Sequence, residues 1–255
     1  MHASLSLLAL GAIVFPAILA APSHDAHRHL HNLHKRDTFS DKGIESGTND
    51  QSAEGNIWLG DDGDYVVEYS LSPDIEDDKV GLVVWDKNAG GPYTGMGIAG
   101  RHPEIALEMS KNSDNKSVSV SFKYGTSAAW GGVYSNTPPT TDPEFPGGHL
   151  ADTWQETTWS STGRVDTSTE TNTGGHAISG KGPHCGTSMT ECVFKCKDPN
   201  AKYCGKIVDG VADYELHKCN EGNTKTGEGT TDGGCLAGDP NTEGKPVKWT
   251  VVLGP

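Results

Sequence analysis

All six cysteines of this 255-residue chain, Cys185, Cys192, Cys196, Cys204, Cys219 and Cys235, fall within 51 residues near its C-terminal end. No feature of the sequence restricts the fold more. In an oxidising compartment an even set of cysteines in a Gly- and Thr-rich stretch is a disulfide framework; in a reducing one it is a metal site. Cys192, Cys196, Cys204 and His217 could serve as zinc ligands, but paired Cys-x-x-Cys knuckles are absent. The compartment therefore decides, and the N-terminus speaks to it.

Residues 1–20 read as a signal peptide. A short polar start leads into the apolar run Leu5–Phe15, then Pro16 and the small residues Ala20 and Ala21. The run is too short to span a membrane. Residues 21–36 hold His24, His27, His29, His31 and His34 and end at Lys35-Arg36. A metal-binding tract is one reading; a pro-segment cut after Arg36 fits the dibasic pair better. Secretion makes three disulfides the expected state, with no metal. Cleavage leaves 17 Lys/Arg against 33 Asp/Glu, a formal charge of −16. That field repels phosphate backbones and anionic membranes, so nucleic acid is excluded as a partner. Neutral glycans and proteins with basic patches remain. No later apolar run predicts a membrane span, and the chain is expected to be a monomer.

The pattern from residue 55 onward is that of an all-β chain. Residues 37–54 are polar and without period, and are expected to form a flexible leader. Residues 55–59 and 65–71 flank Asp61-Asp62-Gly63-Asp64, which predicts a hairpin. Lys79–Trp85 is a nearly continuous apolar run, hence a buried central strand. Ser117–Phe122 alternates and predicts a strand with one wet face, just after the glycosylation sequon at Asn115. Residues 128–134, 153–159, 164–171, 214–219 and 248–253 complete about eight to eleven strands, which argues for a sandwich. Residues 104–109 could be strand or helical turn, and only Thr190–Lys197 has helix-like spacing.

Motifs of catalysis are missing. There is no Gly-x-Ser-x-Gly elbow, no His-Glu-x-x-His pair and no phosphate-cradling glycine loop. No cofactor is expected. The candidates that remain are carboxylates on strands. Glu156 lies between Trp154 and Trp159, and Asp166 and Glu170 share a face of the next strand by the two-residue period. Carboxylates beside tryptophans suit sugar rings, through hydrogen bonds and stacking. A pair of them can also hydrolyse a glycosidic bond. Solvated strand positions in an acidic protein are the plainer alternative.

Two resemblances follow from these residues. Ile57-Trp58-Leu59-Gly60-Asp61-Asp62-Gly63, Gly81-Leu82-Val83-Val84-Trp85, Ala128-Ala129-Trp130-Gly131-Gly132-Val133-Tyr134, Thr153-Trp154-Gln155-Glu156, Val165-Asp166-Thr167-Ser168, the run Cys185–Cys196 and Gly233-Gly234-Cys235 resemble small secreted fungal proteins of the "effector five-like" group, related in pattern to a fungal allergen type. This implies a secreted fungal protein acting non-enzymatically at a host interface, on a host protein or a cell-wall glycan. A second likeness is to thaumatin-like sandwiches, whose acidic cleft Glu156 and Asp166 would match. Here Thr171 stands where that pattern has a second aspartate, with Glu170 one position early, and Gly132 stands where it has an arginine. This second likeness implies a glycan-binding remnant, with weak glucan hydrolysis as its limit. The expected architecture is a disulfide-stapled β-sandwich, thaumatin-like in pattern, over residues 55–255. Its cysteine-rich part, 185–235, is expected to be rich in loops.

Overall fold

The computed structural model describes residues 37–44, 55–87, 103–112, 116–140, 150–219, 229, 231 and 233–254. The expected signal peptide, the Lys35-Arg36 cleavage pair and the Asn115 sequon lie outside these residues.

Among the described residues one four-residue helical turn, α1 (Asp37–Ser40), precedes sixteen strands. The first eight are β1 (Ile57–Leu59), β2 (Tyr65–Leu71), β3 (Lys79–Asp86), β4 (Ile105–Ser110), β5 (Ser117–Phe122), β6 (Ser127–Val133), β7 (Trp154–Thr158) and β8 (Arg164–Ser168). β9 (Ile178–Lys181) leads into the cysteine-rich part, which supplies β10 (Gly186–Ser188), β11 (Val193–Cys196), β12 (Ile207–Val208), β13 (Val211–Ala212), β14 (Tyr214–His217) and β15 (Cys235–Leu236). β16 (Val247–Leu253) is the last. A six-stranded sheet runs β1-β5-β2-β16-β9-β10, and a larger one runs β14-β11-β8-β7-β6-β3-β4 with β15 added beside β8. β12 and β13 form a separate hairpin. The chain is all-β, two sheets stapled by three disulfides, as the sequence predicts.

Alternation along the strands fills the space between the sheets. Tyr65, Val67 and Tyr69 of β2 and Trp249 and Val251 of β16 meet Leu82 and Val84 of β3, Trp130 of β6 and Val165 of β8. Trp159 stacks on Trp130 at 5.8 Å, with the rings 7° from parallel. Each large apolar side chain withdrawn from water contributes about 1.5–3 kcal/mol, so this aromatic seam is a main source of stability.

β3 is apolar on both faces because a second apolar layer covers its outer one. Val83, Trp85, Ala129, Val133 and Trp154 pack there against Phe39, Ile44 and Leu150. Residues 37–44 are thus not a flexible leader: Phe39 and Ile44 are 4% and 3% exposed. Gly81 makes this possible, since a Cβ there would overlap the Phe39 ring.

Two local expectations change, and one left open is settled. β1 and β2 do not form a hairpin; β5 lies between them, pairing Ile57 and Tyr65 both with Phe122. Gly63 presses against the Phe122 backbone, so the Asp61–Asp64 turn carries the chain over β5. Thr190–Lys197 contains the strand β11 rather than helix, because Val193–Cys196 pairs with β14 on one side and β8 on the other. Residues 105–110 are a strand, β4, paired along β3.

Candidate functional site

β7 and β8 pair antiparallel, and the register sets Glu156 opposite Asp166, with Ala129 of β6 on the other side of Glu156. By the two-residue period Glu156, Asp166 and Ser168 all face outward from the large sheet. Glu170 follows two residues after β8, and its carbonyl accepts the Cys204 N–H at 2.7 Å. The sequence therefore names three carboxylates that the fold does bring to one face.

Their environments differ. Glu156 is neutralised by Lys87, whose Nζ lies 2.9 Å from Oε2. Asp166 is 6% exposed. The Ser168 hydroxyl donates to Glu170 Oε2 at 2.7 Å, and the Glu170 N–H donates back to Ser168 Oγ at 3.2 Å. Burial pushes the Glu170 carboxyl up to about 7; the Ser168 bond opposes this, and the charges of Glu156 and Asp213 add to it. Near neutrality Glu170 therefore still holds its proton in part of the population and can donate a hydrogen bond.

The tryptophans do not front this face. Trp154 is 2% exposed and Trp159 is fully buried. Trp154 points outward as Glu156 does, but it lies under residues 37–44 and against Trp85, with ring centroids 5.6 Å apart. Trp159 is an odd number of residues from Glu156 and packs in the inter-sheet core. Their expected role as sugar-stacking platforms is withdrawn: neither ring reaches solvent. The aromatic beside the carboxylates is Tyr214 of β14, partly exposed and edge-on to Phe194 at 5.9 Å. Burial raises its phenol, and Glu170, Glu156 and Asp213 raise it further. Its only sequence signal was its place on a strand inside the cysteine block, whose sheet partner the sequence does not reveal.

The cysteine block builds the rim of this face. Cys185 pairs with Cys235, Cys192 with Cys219 and Cys196 with Cys204. All six sulfurs are in disulfides, so no thiolate is left for zinc. Cys192–Cys219 fastens β11, which pairs with β8 through Phe194 and Ser168, to the end of β14. Cys196–Cys204 starts the loop that carries the β12–β13 hairpin. Asp213 Oδ1 closes that loop by accepting the Gly205 and Lys206 N–H groups at 2.9 and 2.7 Å.

A second polar cluster was not anticipated. Asp152, 1% exposed, accepts the N–H groups of Thr153 and His176 on Oδ1 at 2.8 and 2.6 Å. Its Oδ2 accepts the Thr137 hydroxyl at 2.6 Å and lies 2.8 Å from His176 Nδ1. With a carboxylate as acceptor, Nδ1 carries the hydrogen. The His176 ring stacks on Tyr134 at 3.7 Å. This cluster ties together three loops at one end of the sandwich. Tyr134 also accounts for Gly132, where a side chain would overlap its ring.

No helix among the described residues is long and apolar enough to cross a membrane. The chain matches no protein-family model, no curated protein and no solved structure.

Proposed function

We propose that this protein acts outside the cell at a host interface as a non-enzymatic binding protein. Its contact surface is the outer face of the large sheet, and its ligand is a neutral cell-wall glycan, β-glucan first. One observation carries the reading: Glu156, Asp166 and Glu170, from one antiparallel strand pair and its extension, share one face rimmed by the disulfide-anchored loops. A glycan needs donors and acceptors side by side. Glu170 held near 7 supplies a proton, and Glu156, partly exposed and paired with Lys87 through one oxygen, accepts with the other. Tyr214 offers the apolar edge for a sugar ring.

Binding fits this geometry better than hydrolysis. A glycosidase sets a protonated carboxyl across the sugar from a free carboxylate. Here Glu156 is committed to Lys87 and Asp166 is buried. The signal-peptide pattern, the three disulfides and the resemblance to effector five-like proteins support an extracellular place of action. The acidic charge favours a second occupant for the same face, a basic host protein.

The test is retention of disulfide-intact protein on insoluble β-glucan and chitin, with Glu156→Ala and Glu170→Ala beside the wild type. At least a tenfold loss of affinity, about 1.4 kcal/mol, is expected in each variant. Equal retention of all three proteins, or none by the wild type, sinks the glycan assignment.

A further inference from the structure

The outer face of the six-stranded sheet carries a groove that the acidic face does not explain. Register lays out its floor. Thr250 of β16 lies beside Lys181 of β9, which lies beside Gly186 of β10; Val252, Ser179 and Ser188 form the next rank. Ser179, Lys181 and Thr250 are exposed, and Val252 and Ser188 partly so. Gly186 brings no side chain to the first rank, which leaves a hollow of about 600 Å³. That volume lies within the range of roughly 300–1,000 Å³ usual for small-ligand sites.

Both walls are fixed before any ligand arrives. On one side the 182–185 turn is closed by the Gly182 N–H to Cys185 carbonyl bond at 2.9 Å and anchored by Cys185–Cys235. His184 in that turn is held 2.8 Å from Glu243 Oε1, which also accepts the Asp239 N–H at 2.9 Å. On the other side the Ser188 N–H donates to the Glu191 carbonyl at 2.8 Å. A site built from anchored turns loses little entropy on binding.

The lining selects the chemistry. Three hydroxyls, on Ser179, Ser188 and Thr250, both donate and accept. Lys181 donates and Glu191 accepts; their charges cancel, so no single ion is favoured. His184 is engaged with Glu243. Val252 and Pro183 offer C–H surface, and no Phe, Tyr or Trp ring lines the hollow; its one aromatic ring, the His184 imidazole, is tied to Glu243. We infer that this groove binds the end of a neutral oligosaccharide of two or three sugar units, at a site separate from the acidic face. The inference stands whether or not the acidic face binds glycan, because the two surfaces lie on the outer faces of different sheets.

The experiment is a titration of isotope-labelled, disulfide-intact protein, followed by amide resonances. The probes are the trisaccharides of β-1,3-glucan, chitin, cellulose and mannan. At least one is expected to shift Ser179, Lys181, Ser188 and Thr250 with a dissociation constant of about 1 mM or tighter. Ser179→Tyr, which fills the hollow from an exposed strand position, is expected to weaken that binding at least tenfold. Lys181→Ala is expected to weaken it about threefold and guards against a misfolded first variant, with unchanged resonances elsewhere as the check on folding. Shifts confined to residues 156–170 overturn the groove while leaving the acidic-face reading intact. No shift from any probe, or wild-type binding by Ser179→Tyr, also overturns it.

Discussion

Glu170→Gln gives the sharpest measurement of the acidic face. The folded protein holds this carboxyl near 7, against an ordinary glutamate value of 4.5. Its proton is therefore bound more tightly in the folded state than in the unfolded one. Below pH 4.5 both states are protonated, and the full contribution is present. Between pH 4.5 and 7 the unfolded chain has released its proton while the folded one keeps it, so stability falls as pH rises. Above 7 the loss is complete. The difference corresponds to at most about 3 kcal/mol, and partial exposure of Glu170 reduces it to roughly 1–3 kcal/mol. Glutamine retains the shape and the acceptor for the Ser168 hydroxyl but never ionises. In urea unfolding, wild type and Glu170→Gln are expected to match at pH 4.5. At pH 8 the variant is expected to be more stable by about 1–3 kcal/mol, a midpoint shift near 1 M for a typical urea dependence. Using the difference between the two proteins removes the titration of every other group. A gap that stays constant from pH 4.5 to 8 would refute the burial argument.

Three further outcomes follow from the packing. Replacing Cys185 and Cys235 with alanine removes a link across 50 residues and is expected to cost about 4 kcal/mol; the same change at Cys196 and Cys204, 8 residues apart, is expected to cost about 2.5 kcal/mol. Denaturant midpoints that rank the two pairs the other way contradict the chain-entropy account. Phe39→Ala is expected to cost about 3 kcal/mol by opening a cavity over Gly81, whereas a flexible leader would make it silent in a thermal melt. Gly132→Arg is expected to abolish soluble expression because the Tyr134 ring fills that space, and Tyr134→Ala in the same chain is expected to restore part of it.

The strands and their exposed and buried faces were legible because β-structure writes itself locally, in alternation and in apolar runs. Lys79–Trp85 announced a buried central strand, and β7 and β8 were each readable as strands; their pairing in the structure brings Glu156 opposite Asp166. The same period, applied to Trp159, would have set it on the face opposite Glu156, since three residues along a strand reverse the face. Trp154 was harder. It shares the face of Glu156, and only the return of residues 37–44 over that face buries it. Pairings between distant segments were not legible. Nothing local says that β5 enters between β1 and β2, or that Tyr214 will stand beside Glu170, because both depend on which strand edges remain open once the rest has paired.

The doubly apolar strand nevertheless held more than was read from it. A strand buried on both faces requires cover on both, and in an antiparallel neighbourhood one sheet supplies only one cover. Some other segment must supply the second. Upstream of β1, between Asp37 and Glu54, the only large apolar residues are Phe39 and Ile44, and the glycine that interrupts the apolar run, Gly81, sits where Phe39 lands. The cover also explains the position of the acidic face. Phe39, Ile44 and Leu150 close the outer layer over Trp85 and Trp154. Beyond Trp154 the outward positions on β7 and β8 pass to Glu156 and Asp166. The carboxylates thus begin where the apolar cover ends, and the disulfide-held rim begins beyond them at β11 and β14.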